Sequence, residues 1–221
     1  LRGSGSSSSS SSSSKCGAKD SSEMTDLPLL LRAYRHRSAR LLMEVESQIR
    51  RGIATKGLSP SEAWNASQIA MARASRAHAL CLLLDNFLST IESHNETNES
   101  DEGAGAVIGP EEVAVLADLA RLFALYWMER DVADFLEDGY VTPQQAGWVR
   151  SSVLVMLDKV RPDAVGLVDA WDYSDFRLKS ALGRYDGDVY PAVMESAKRD
   201  PLNGTEPGPG YEEHLKRLIV D

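Results

Sequence analysis

A chain of 221 residues, 43% hydrophobic and 26% charged, can bury a sizeable core in one large domain or two small ones. Its formal charge of −9 opposes general binding to nucleic-acid phosphates, and no basic run with interleaved aromatics argues otherwise. The two cysteines, Cys16 in a low-complexity stretch and Cys81 in an apolar run, exclude a disulfide framework or a metal knuckle and fit a reducing compartment. Cys81 reads as a small buried hydrophobe.

Residues 1–26 hold an unbroken serine run from Ser6 to Ser14 followed by "KCGAKDSSEMTD". Such a stretch offers little apolar surface, so a disordered tail or linker is expected over 1–26. The chain begins at Leu1, which suggests a fragment, a processed product or an incomplete gene product. No signal-peptide core is visible, and apolar runs such as residues 79–84 are too short to span a bilayer.

From Leu27 onward the pattern becomes helical. Leu27, Leu31, Tyr34, Leu41, Leu42, Val45 and Ile49 recur at spacings of three, four and seven, which predicts an amphipathic helix ending near Gly52 to Gly57. "LSPSEAW" then supplies Ser59 as an N-cap, Pro60 at the first helical position and Glu62 three after the cap. With no internal Gly or Pro, that second helix is expected to run unbroken from about Pro60 to Ser93.

Residues 94–109 are polar, acidic and glycine-bearing, and read as a loop. Pro110 opens a third helix with Val113, Leu116, Leu119, Leu122, Phe123, Tyr126 and Trp127 on its apolar face. "RDVADFLEDGY" reads as a short helix stopped at Gly139. Thr142, Pro143 and Gln145 cap the helix that carries Trp148, Val149, Val153 and Met156. Short helices follow from Pro162 to Trp171, around residues 180–203, and from about Gly210 to Val220. No period-two alternation occurs, so the expected fold is all-α, an up-and-down bundle.

Each candidate for chemistry has a plainer structural reading. His78 lies in the apolar second helix without another histidine at metal spacing, and is expected as a hydrogen-bonded core or semi-buried residue. His36, His94 and His214 are expected to face solvent. Asp163, Asp169, Asp172 and Asp175 lack the ligand order of a calcium loop and read as caps and a solvated face. "GAGAVIG" over residues 103–109 follows an acidic loop rather than a strand, so it is a poor nucleotide loop.

The stretch "ALGRYDGDVYPAVMESAKRDPLN" is accounted for by helix stops and starts. Leu182 is expected to close a helix with Gly183 just beyond it, Asp186-Gly187 to turn, Asp188 to cap the next helix, and Pro191 to fall in its first turn. Arg184, Tyr185 and Tyr190 are left over, and are expected to pack or pair across an interface.

That stretch, preceded by "RPDAVGLVDAWDYSDFRLKS", resembles the C-terminal segment of the peroxisomal acyl-CoA oxidases. "EAWNASQIAMARASRAHA" and "DVADFLEDGYVTPQQ" are similar to further ordered motifs of that family, so the likeness runs from about Leu27 to the end. The resemblance implies that residues 27–221 form the helical C-terminal domain of a dimeric FAD-dependent oxidase of fatty-acid β-oxidation. Such an enzyme converts acyl-CoA and O₂ to trans-2-enoyl-CoA and hydrogen peroxide.

In that family the catalytic glutamate and the principal flavin-binding segments precede the part matched here. No catalytic, cofactor-binding or metal-ligating residue is therefore assigned to this chain; its expected role is to support the catalytic domains and the dimer. A peroxisomal location is implied by resemblance only, since Ile219-Val220-Asp221 is not a Ser-Lys-Leu-like signal. The alternative expectation is a non-catalytic helical scaffold that keeps this domain without the oxidase.

Overall fold

The computed structural model describes residues 15–97, 108–204, 207–208 and 210–219, and these residues contain helices and turns with no strand among them. The chain divides into two compact units, Leu1–Asp163 and Ala164–Asp221.

The first helix, α1, spans Leu27–Lys56. It starts where Asp26 accepts a hydrogen bond from the Leu29 amide at 3.1 Å, and it stops at Gly57, whose φ of 65° suits a residue without a Cβ. Next comes α2, Pro60–Ala66, opened by the capping box of Ser59 and Glu62. Then α3 covers Gln68–Thr97, α4 Pro110–Arg130, α5 Val132–Leu136 and α6 Pro143–Val160. Thr142 and Gln145 form the second capping box, at the head of α6. Most of the 94–109 stretch lies outside the described residues, including residues 103–107 of "GAGAVIG".

The expected unbroken helix from Pro60 to Ser93 is interrupted at Ser67. The Ser67 hydroxyl donates back to the Ala63 carbonyl at 2.9 Å, and the residue leaves helical geometry with ψ of 4°. A serine that bonds to its own preceding turn competes with the helix ladder and bends it. No Gly or Pro announces such a break.

In the first unit α1 packs on α3, α3 on α4 and α4 on α6, the neighbour pairing of an up-and-down bundle. Leu30 and Tyr34 of α1, Leu84 of α3, Leu125 and Met128 of α4 and Val149 of α6 are fully or almost fully buried in one shared core. The Tyr34 hydroxyl donates to the Ala124 carbonyl at 2.6 Å, so the core's largest apolar ring carries a satisfied polar tip. A smaller cluster of Leu41, Ala74 and Ala77 seals the other end of the α1–α3 contact.

The expected tail over 1–26 needs correction at its C-terminal half; residues 1–14 lie outside the described residues. Cys16, Ala18 and Met24 are buried in the main core. The Cys16 amide donates to the Tyr140 carbonyl at 2.7 Å, and the Gln145 amide donates to the carbonyls of Cys16 and Ala18 at 3.2 and 2.8 Å. Three small or flexible apolar side chains and a shared amide donor hold this segment despite its polar composition.

The second unit begins with α7, Ala164–Asp169, followed by α8, Asp175–Leu178, and α9, Val189–Arg199. The expected last helix is a π turn, Tyr211–Leu215, followed by a 3₁₀ turn, Lys216–Leu218. No described residue from 164 to 219 is buried.

Candidate functional site

Two places in the chain concentrate functional side chains. The first lies in the bundle, where the segment around α5 carries Asp131, Asp134, Glu137 and Asp138. Spacings of three bring Asp131, Asp134 and Glu137 to one helical face, and that face meets arginines from α1 and α3. Arg37, only 2% exposed, donates from Nε to Asp134 at 2.6 Å and from Nη2 to Asp131 at 2.8 Å. Arg73 reaches Asp134 from Nε at 2.8 Å and Glu137 at 2.9 Å, and Arg40 reaches Glu137 at 3.2 Å. Arg76 approaches Asp131 at 3.4 Å and lies over the Trp127 ring, 5.1 Å from its centroid.

This cluster fastens rather than reacts. A guanidinium does not give up its proton near neutral pH, so the arginines supply no general acid or base. Each carboxylate is matched to a cation, which is the condition for tolerating charge this deep.

At its edge His36 Nε2 lies 2.6 Å from Asp138, and the His36 ring stacks on Tyr140 with centroids 4.1 Å apart. An ionised carboxylate can only accept, so Nε2 carries the proton. Burial pushes the Asp138 carboxyl up. The hydrogen bonds from His36 and the Tyr140 amide, with the nearby His36 and Arg40 charges, outweigh that and hold it below its usual range.

The histidines thus depart from expectation. His36, expected in solvent, is half-buried and paired; His78, expected semi-buried, is exposed, with Nδ1 3.2 Å from the Ser38 hydroxyl. His214 is exposed and lies 3.6 Å from Glu213; the side chain of His94 lies outside the described residues. Among the described residues no group of three or more His, Cys, Asp or Glu side chains could hold a metal ion.

The second place is in the second unit. Val165, Val168, Leu178 and Leu182 line an open hollow of about 650 Å³ together with Trp171 and Tyr185. The Trp171 and Tyr173 rings are nearly parallel, 6.4 Å between centroids. Arg184 is bound by Asp186 through Nε at 2.9 Å and through Nη2. That hydrogen-bonded guanidinium, with the Asp188 amide, brings the Asp186 carboxyl down to about 2.

Several local expectations for this stretch are corrected. The helix ends at Leu178 with Lys179, not Gly183, in the left-handed region. Ser180 makes the following turn by accepting the amides of Leu182 and Gly183 at 3.2 and 3.3 Å. Asp188 makes no side-chain cap on α9; Asp186 instead accepts the Asp188 amide at 3.0 Å. Gly187 does turn, with φ of 70°, and Pro191 lies in the first turn of α9. Arg184 pairs locally with Asp186, while Tyr185 and Tyr190 are 83% and 88% exposed.

The family model described as "Acyl-CoA oxidase" matches residues 26–220. The peroxisomal acyl-coenzyme A oxidase 1 of Rattus norvegicus is 34% identical over 196 residues, which cover 89% of this chain and 28% of the relative. Acyl-CoA oxidase 1 of Arabidopsis thaliana superposes with a TM-score of 0.71 at 27% identity, over 92% of this chain and 28% of that one. Acyl-CoA oxidase-1 of Caenorhabditis elegans, complexed with FAD and ATP, gives 0.69 at 29% identity over 87% of this chain and 27% of that one. The chain thus spans under a third of the length of these relatives.

Proposed function

The chain belongs to the acyl-CoA oxidase family, and from that premise we propose that it serves as the C-terminal helical part of an FAD-dependent acyl-CoA oxidase. The whole enzyme would act on acyl-CoA and O₂ in the peroxisome, giving trans-2-enoyl-CoA and hydrogen peroxide. This part would close the shell around the flavin-bearing part and support a homodimer.

The observation that carries this reading is the surface of residues 164–219. Trp171, Phe176, Leu182, Tyr185, Tyr190 and Leu202 are each more than 70% exposed. A soluble protein leaves so large an apolar set in water only where another surface covers it. The family match extends through this segment to residue 220, and most of each relative lies outside the matched part.

FAD is proposed for the whole enzyme, with its site assigned to the part of the oxidase outside this chain. Hydride abstraction needs a pocket that fixes the acyl carbon between a base and the flavin ring. The hollow in the second unit is open, and the half-buried Asp131 and buried Asp134 carboxylates are engaged by guanidinium groups. The reaction is accordingly assigned to the part of the oxidase that this chain does not include.

The test has two arms. The purified chain, given acyl-CoA and FAD, is expected to form no peroxide; robust turnover would overturn the assignment. Sequencing the transcript upstream of the Leu1 codon is expected to reveal a frame encoding a flavin-bearing part. A start codon close by would favour the scaffold instead.

A further inference from the structure

Resting on the oxidase reading above, we propose that the hollow lined by Val165, Val168, Leu178 and Leu182 is a socket for an apolar segment flanked by basic residues. Its owner would be the flavin-bearing part of the oxidase, and the socket would not hold the CoA substrate.

The lining combines aliphatic side chains with the Trp171 and Tyr185 rings around an open volume of about 650 Å³. That is room for two or three large side chains. The side chains that make it are held out rather than collapsed on one another: Val165 is 72%, Trp171 71% and Leu182 74% exposed. Removing apolar area of this kind from water is favourable, so an apolar insert is favoured over water.

The rim decides the sign of the occupant. Asp169 and Asp172 line the hollow, and the lining cation Arg184 is already engaged by Asp186. Asp175, whose carboxylate accepts the Tyr185 amide at 3.0 Å, adds a further negative charge beside the lining. CoA and nucleotides carry several phosphate charges and would meet uncompensated carboxylates here. A peptide segment with Lys or Arg beside its apolar residues would complement them. Stacked rings such as Trp171 and Tyr173 also offer their faces to a guanidinium or ammonium group.

The test co-expresses this full chain with the flavin-bearing part of the Rattus norvegicus relative and reads co-purification and affinity. The chain carries either the native sequence or Leu182→Asp or Asp172→Lys. Both positions are exposed, and circular dichroism confirms that each variant is folded, including Asp172→Lys at a backbone φ of 50°.

The native chain is expected to associate, Leu182→Asp to weaken association at least tenfold, and Asp172→Lys to weaken it severalfold with a loss of salt dependence. If the native chain does not associate, the oxidase reading falls and the socket with it. If it associates and both variants bind equally well, the reading stands and the socket is wrong. Direct binding of acyl-CoA to the chain that Leu182→Asp abolishes would also overturn the proposal, by making the hollow a ligand site.

Discussion

Arg37 of α1 and Asp134 of α5 meet at 2.6 Å, with the arginine 2% and the aspartate 6% exposed. Ninety-seven residues separate them in the chain. This pair, with Asp131 on the other guanidinium nitrogen, fixes the short α5 segment against the first helix.

Removing one member of a buried ion pair leaves the other charge uncompensated. Asp134→Ala is therefore expected to lower stability by about 3–5 kcal/mol, read as a large fall in the chemical denaturation midpoint. Changing Arg37 to Met and Asp134 to Leu together should recover part of that loss, because the apolar pair itself needs no compensation while Asp131 keeps Arg76 and Arg73 keeps Glu137.

The His36–Asp138 contact makes stability depend on pH in a stated direction. The Asp138 carboxyl titrates lower in the folded chain than its ordinary value, so its contribution is complete above an unfolded pKa of about 4 and fades as pH falls through the folded value. His36→Phe keeps a ring to stack on Tyr140 but loses the hydrogen bond. It is expected to be less stable than the native chain at pH 6 and to converge with it once the pH falls below the lowered folded value, which paired urea melts would measure.

Gln145 is expected to tether residues 15–18. Gln145→Leu leaves the Cys16 and Ala18 carbonyls without that donor and breaks the capping box at α6. Faster amide exchange over residues 15–25 is the expected result, measured by hydrogen–deuterium exchange. Thr142→Ala controls for the cap: it should cost about 1 kcal/mol without the same local release.

The Tyr34 hydroxyl gives a smaller, well-defined effect. Burial pushes this phenol above its ordinary range, so it stays neutral and donates to Ala124. Tyr34→Phe should cost about 1 kcal/mol, seen as a modest drop in melting temperature and no change in helical content.

Much of the fold was legible because local chemistry announces itself. Ser59-Pro60-x-Glu62 and Thr142-Pro143-x-Gln145 are complete start signals, and Gly57 and Gly139 are stops that the backbone honours with positive φ. The break at Ser67 was not legible, since the same residue is tolerated inside helices when its hydroxyl faces water. The burial of Cys16, Ala18 and Met24 was missed because it depends on partners more than a hundred residues away. The arginine clasp had one readable signal, the three-residue spacing of Asp131, Asp134 and Glu137, but nothing in that spacing says which helix provides the cations. His36 and Asp138 are likewise 102 residues apart, so their pairing is a product of the fold.

The apolar side chains of the second unit also change what a solitary copy of the chain does in solution. With Trp171, Phe176, Leu182 and Tyr185 facing outward, such a copy displays the kind of surface that chaperones retain and proteases sample. The formal charge of −9 keeps those copies apart from one another. On the oxidase reading proposed above, its lifetime is then set by how soon the covering part arrives, and apolar exposure becomes the mark that distinguishes unassembled chains from assembled ones.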